Sequence, residues 1–232
     1  MKQKPFSNSR APEQGEMVKR LKGLRQASHF GPTLIVTTIG WLFANHYWWE
    51  GPAYVIAFGI FTGQLVVGWS NDLYDYADDL RHQRIKKPLV AGLITPAYLR
   101  KWIVVMTPLA FFFNLFGPLG FSGGMIYMLG IGCGVAYNFY FKFIWLSPLP
   151  YAIAFAALPS SIAISKGISP PVWMWLGGAL FGMAAHFINV IKDLDEDRQS
   201  EIKGLPQQLG KMRSIFAAVT LVALGCLVLI AS

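Results

Sequence analysis

Seven apolar stretches divide the chain, at about residues 30–48, 53–70, 97–117, 120–138, 148–165, 170–190 and 212–231, with almost no charge inside them. Runs of ~18 residues or more match the ~30 Å hydrocarbon core of a bilayer. They are predicted to be helices, because an open strand in lipid leaves its backbone amides and carbonyls without partners. None of the runs has the alternating pattern of a barrel strand. The predicted architecture is therefore all-α: a polytopic transmembrane helical bundle of about seven helices over residues 29–232, preceded by a basic tail at residues 1–28.

Within that tail, residues 1–16 are polar and carry Pro5 and Pro12, which predicts an irregular segment. Residues 17–27 mix Met17, Val18, Leu21 and Leu24 with Lys19, Arg20, Lys22 and Arg25, the pattern of a helix lying in a membrane interface. The polar stretch before the first apolar run is too long for a cleavable signal peptide. Trp48 and Trp49 are placed at the opposite interface.

Composition agrees with a membrane protein: 54% of the residues are hydrophobic, only 14% are charged, and mean hydropathy is +0.42. Soluble domains carry about a quarter charged residues. A net charge of +8 taken alone suits a nucleic-acid binder, but its distribution argues against one. Of 20 Lys and Arg, seven precede the first span, six fall around the loop between the second and third, and five between the sixth and seventh. Lys142 lies between the fourth and fifth, and Lys166 alone falls on the other side. This is the positive-inside asymmetry. It predicts a multi-pass protein of the plasma membrane, with a cytoplasmic N-terminus and the opposite placement for the C-terminus. Cys133 and Cys226 sit in apolar runs and read as small fillers.

The acidic residues carry the chemistry. Of 12 Asp and Glu, four lie at Asp72, Asp75, Asp78 and Asp79, and five at Asp193, Asp195, Glu196, Asp197 and Glu201. Asn71, Asp75 and Asp79 are spaced by four, and Asn189, Asp193 and Asp197 repeat that spacing 118 residues later. An internal duplication would account for the repeat. At ~100° per residue, Asp72, Asp75 and Asp79 share one arc of about 60°, with Asn71 beside them. His186, Asn189, Asp193 and Asp197 share a second face if that helix continues. Unit charges ~4 Å apart repel by about 4 kcal/mol at an effective dielectric of 20, so two such clusters call for cations. Oxygen-only donors point to Mg²⁺, a hard ion held by one or two carboxylates plus substrate phosphates.

Basic residues flank both clusters. Arg81, Arg84, Lys86 and Lys87 follow the first; Lys192, Arg198 and Lys203 surround the second; Lys142 stands alone in its loop. Metal and cationic side chains together suit a diphosphate. For Arg81, Lys86 and Lys87 the positive-inside bias explains their presence equally well. A membrane scaffold beneath a polar site implies a substrate with a charged head and an apolar tail. Gln64, two to three turns inward on the Asp75 face, and the intramembrane His186 are candidates to touch an acceptor, with helix packing as the alternative role for each. His29, where the first span begins, has a weaker claim, and His46 reads as an outer-interface residue.

These residues resemble the UbiA superfamily of membrane prenyltransferases. That family's NDxxDxxxD motif is met by Asn71, Asp72, Asp75 and Asp79, and its DxxxD motif by Asp193 and Asp197. Lys87-Pro88 through Gly92 and Gly204-Leu205-Pro206 with Leu209-Gly210 are similar to the segments that follow each motif, and Tyr137 and Lys142 to a Tyr and Lys after the fourth helix. The resemblance implies Mg²⁺ held by Asp72, Asp75, Asp79, Asp193 and Asp197, and transfer of a prenyl group from a prenyl diphosphate to a hydrophobic acceptor. Asn71, Arg81, Lys86, Lys87, Tyr137, Lys142, His186, Asn189 and Gln64 would then contact substrate. Aromatic faces at Tyr74, Tyr76, Tyr137 and Tyr140 can stabilise a cation, or anchor the interface. Family members usually have nine transmembrane helices, so the resemblance also implies a bundle lacking the last two, or an oligomer that completes the wall. A transporter and an inactive scaffold relative are the competing readings.

Overall fold

The computed structural model of the chain describes residues 10–197, 200 and 202–232, and among these residues every regular element is helical. Helix α1 spans Arg10–Ala27, α2 Phe30–Tyr47, α3 Glu50–Arg81, α4 Pro96–Phe116, α5 Gly120–Phe139 and α6 Pro148–Ser165. A single π-turn at Trp173–Gly177 opens α7, Gly178–Ile191; two short helices follow, α8 at Leu194–Asp197 and α9 at Leu205–Leu209, before α10 at Lys211–Ala231. The expectation of an irregular segment over 1–16 falls partly outside the described residues. From Arg10 onward it is corrected, because α1 is already helical there. Glu16 and Arg20 pair at 3.0 Å on its exposed face, the i,i+4 support that a polar helix gains from opposite charges.

Each of the seven apolar runs forms a helix, and six are long and apolar enough to cross a bilayer. The exception is α2, whose 18 residues end in Asn45, His46 and Tyr47 and include several Thr. Helices α3 and α6 are the most buried spans. Around them α2 packs on α3, α4 on α3, α5 on α6, α7 on α6, and α10 on α7. One apolar core joins Ala44, Ile56, Ile60, Tyr127, Ile131, Leu158 and Ile162 toward the α2–α3 turn. A second joins Leu24 and Ala27 of α1, Leu65 and Trp69 of α3, Leu89 and Ile94 of the following loop, and Leu99 of α4.

Helix α3 decides where the chemistry sits. Its 32 residues extend for about 48 Å at 1.5 Å per residue, well beyond a ~30 Å hydrocarbon core. The first acidic motif therefore rides on a continuous, rigid helix. The chain reverses after Arg81 through Gln83, which takes a positive φ of 52°, and Gly92 at 65°. The burial of Leu89 and Ile94 folds this loop back over α3. Helix α4 then restarts with Thr95 as N-cap, its hydroxyl accepting from the Tyr98 amide at 3.2 Å, and Pro96 in the first turn.

The corner between α1 and α2 is clamped to the same helix. Trp69 Nε1 donates to the Leu24 carbonyl at 2.9 Å. Next to Trp69, Gly68 lets the Ser28 backbone approach so closely that a Cβ would lie 2.7 Å from its carbonyl oxygen and 2.8 Å from its carbonyl carbon. Neither obstacle can rotate away, since both belong to the main chain. Gly68→Ala is accordingly expected to destabilise the protein by about 1–3 kcal/mol, the usual cost of overpacking, read as a lowered Tm in detergent.

Candidate active site

The first motif lies at the end of α3 with its carboxylates largely withdrawn from solvent: Asp72 and Asp79 are each 2% exposed. Each motif carboxylate is met by a cation or donor of the protein itself. Asp72 Oδ1 accepts from Lys87 Nζ at 3.0 Å and from His29 Nε2 at 3.2 Å. Asp75 accepts from Asn71 Nδ2 at 2.9 Å and pairs with Lys142, whose ammonium is itself buried and stands 5.0 Å over the Tyr74 ring. Asp79 pairs with Arg84 at 2.8 Å and faces Lys87 at 3.9 Å. Asp78, off this face, pairs with His82 and Arg84 at 3.3 Å each. Burial alone would pull the Lys87 ammonium below its ordinary value; the charges of Asp72, Asp79 and Asp75 and the hydrogen bond to Asp72 outweigh it and raise it instead.

The second motif is not one uninterrupted helix, which corrects the expected continuous face. Helix α7 stops at Ile191, the Asp193 amide turns back to the Val190 carbonyl at 2.9 Å, and α8 begins at Leu194. The Asp197 amide then bonds the Asp193 carbonyl at 2.9 Å, which keeps the two motif residues one turn apart. Burial pushes the Asp197 carboxyl above the usual range; the bond from Gln207 lowers it, the charge of Asp193 adds to the rise, and Arg84 and Lys142 counter it. Arg198 and Glu201 lie outside the described residues.

The two motifs come within electrostatic reach of the same side chains at one end of the bundle. Lys142 bonds Asp75 and its charge reaches Asp197. Arg84 pairs with Asp79 and also donates to Ser200 Oγ beyond the second motif. Tyr137 lies within electrostatic reach of Asp75, Asp193 and Asp197 together. Its ring packs edge-on against Tyr151 at 5.2 Å and His186 at 5.5 Å, while the Tyr151 hydroxyl bonds Asn189.

Not every candidate lies against these carboxylates. Arg81 and Lys86 are exposed, and the basic residues of that run turned toward the carboxylates are Arg84 and Lys87. Lys192 and Lys203 are exposed as well. Gln64 donates to the Tyr127 hydroxyl at 3.4 Å, and that hydroxyl donates to the Ile60 carbonyl at 3.3 Å, so Gln64 forms a bond between α3 and α5. Tyr140 is 60% exposed and points away. His186 is fully buried and bonds Ser147 Oγ at 2.9 Å.

Ser147, Tyr151, Gln207 and Ser200 were not legible as site residues, because none carries charge. Ser147 and Gln207 belong to a brace made with the segment after the second motif. Gln207 Nε2 donates to Asp197 Oδ2 at 2.7 Å, and the Leu205 amide donates to Ser147 Oγ at 2.9 Å, the same hydroxyl that His186 uses. A Cβ at Gly204 would lie 2.6 Å from Gln207 Oε1 and 2.8 Å from Ser147 Oγ, so glycine is what lets the brace close.

The donor set of the two motifs is carboxylate oxygen, which fits a hard divalent cation. Among the described residues no group of three or more His, Cys, Asp or Glu closes on one point as a protein-only metal cage would. Mg²⁺ does not demand one, since it is usually held by one or two carboxylates with phosphates completing the shell.

Among the described residues the buried His186 Nδ1 has no hydrogen-bond partner, so Ser147 supplies the one polar contact of that ring there. Ser147→Ala is expected to cost about 1–3 kcal/mol, the penalty for a buried polar group left unpaired, measured as a drop in Tm in detergent. Ser147→Thr, which keeps the hydroxyl, should lose less.

Comparisons with known proteins bear on this arrangement. The fold is shared with a digeranylgeranylglyceryl phosphate synthase at a TM-score of 0.65, with 19% identity, 90% of this chain and 76% of that chain covered. It is also shared with a UbiA homologue from Archaeoglobus fulgidus in its Cd²⁺-bound form, at a TM-score of 0.70, with 15% identity, 90% of this chain and 76% of that chain covered. No curated protein matches the chain. The model of the UbiA prenyltransferase family matches residues 33–232, so the chain belongs to the UbiA prenyltransferase family.

Proposed function

We propose that the protein is a Mg²⁺-dependent membrane prenyltransferase that moves a prenyl group from a prenyl diphosphate to an apolar acceptor, aromatic or lipid, with its site on the cytoplasmic side of the plasma membrane. The observation that carries this reading is the convergence of both Asp motifs at one end of the bundle, where Lys142 and Arg84 each interact with acids of both motifs. Family membership and the divalent cation bound by a homologue of the same fold support it.

In this reading Asp72, Asp75, Asp79, Asp193 and Asp197 would hold the metal, which when bound supplies charge stabilisation to the departing diphosphate. Lys87, Arg84 and Lys142 exchange their carboxylate partners for phosphate oxygens, so the site changes partners without stranding a buried charge. Asn71 and Gln207 keep the Asp75 and Asp197 carboxylates oriented. The Tyr137 ring, backed by Tyr151 and His186, helps keep water from the reacting carbon and offers an aromatic face to an allylic cation. The prenyl tail would lie among the apolar helices below. A transporter would place its acids near the bilayer midplane; here they gather at one end of the bundle.

The test is binding of farnesyl diphosphate to the purified protein in detergent. Binding is expected with Mg²⁺ and not with EDTA, and Asp72→Ala or Asp193→Ala should weaken it at least about tenfold, or ~1.4 kcal/mol. Equal binding with and without Mg²⁺, or none in either case, would overturn the proposal.

A further inference from the structure

His29 joins α1 to α2 in a left-handed backbone conformation, φ 48° and ψ 56°. That region is costly for a residue with a side chain, and such strain persists only where surrounding structure enforces it. Here the enforcement is visible. On one side of His29, Leu24 accepts from Trp69 Nε1 and Ser28 presses its backbone on Gly68. On the other, Thr33 Oγ1 donates to the Ser28 carbonyl at 2.7 Å and the Thr33 amide to the His29 carbonyl at 3.2 Å. Gly68, Trp69 and Asp72 fall within one turn of α3, so the residues that clamp the corner are neighbours of the carboxylate that the ring meets.

The ring itself is 45% exposed, yet Nε2 reaches the buried Asp72 Oδ1 at 3.2 Å. An ionised carboxylate only accepts, so Nε2–H is the donor. Lys87 donates to the same oxygen, and Oδ2 is the atom that neither of these two bonds touches. Lys87 sits on a loop and is expected to turn to phosphate when substrate binds; His29 sits on a clamped corner and stays.

We infer that His29 is a positioning residue that fixes the rotation of the Asp72 carboxylate for a divalent cation, with the strained α1–α2 corner built to deliver it. This rests on the metal-binding role proposed above. Outer donors of this kind typically change metal affinity by 10–100-fold.

The experiment follows Mn²⁺ binding by electron paramagnetic resonance on the full chain with farnesyl diphosphate, beside Tm for each variant. His29→Leu keeps a side chain at the strained position and removes the donor, and is expected to weaken Mn²⁺ at least about tenfold. His29→Gln returns an N–H at similar reach and should restore affinity to within about threefold of the parent. His29→Gly relieves the backbone and should raise Tm while losing Mn²⁺ affinity as His29→Leu does, a split that a purely structural role would not produce. Parent-like Mn²⁺ affinity in His29→Leu and His29→Gly, or no recovery in His29→Gln, would overturn the inference while leaving the metal reading intact. No Mn²⁺ binding by the parent protein would overturn both.

Discussion

Three carboxylates on one face of a helix, two of them almost without solvent, can coexist only if positive charge is brought to them. Lys87 and Arg84 from the loop after α3 and Lys142 from the turn after α5 supply that charge, with His29 as a further donor. Each comes from a different part of the chain or from a loop that had to fold back. The requirement for neutralisation thus organises the whole end of the bundle, and the same cations are of the kind that would receive phosphate oxygens.

Two braces hold this balance. The loop of residues 82–95 is tied down by Leu89 and Ile94 in an apolar cluster with Leu24, Trp69 and Leu99, so burial well away from the acids sets the reach of Lys87 and Arg84. The segment of residues 204–209 is tied by polar contacts instead, through Ser147, His186, Gln207 and Asp197. The first motif is rigid because α3 is continuous; the second needs its brace because α7 ends before Asp193.

The proposed chemistry and these braces share one logic. A diphosphate leaving group needs fixed positive charge at the bundle end, and an allylic cation needs a dry, aromatic wall beneath it. Tyr137 stands at the junction, within reach of both motifs' charges and packed edge-on against Tyr151 and His186.

The helical class, the existence of all seven long helices and the pairing of Asn71, Asp72, Asp75 and Asp79 on one face were legible in the chain itself. Apolar run length and helical periodicity are local properties, and each constrains the backbone without reference to the rest of the molecule. What decides between Arg81 and Arg84, or between Lys86 and Lys87, is the reversal after α3 and the anchoring of Leu89 and Ile94, which no local pattern records. The break between α7 and α8, the assignment of Gln64 to a bond with Tyr127, and the reach of His29 to Asp72 are likewise products of packing. The chain alone determined which groups can ionise and which segments belong in lipid; tertiary structure alone decided which of those charges meet, because an ion pair depends on a few ångströms between residues that are distant in sequence.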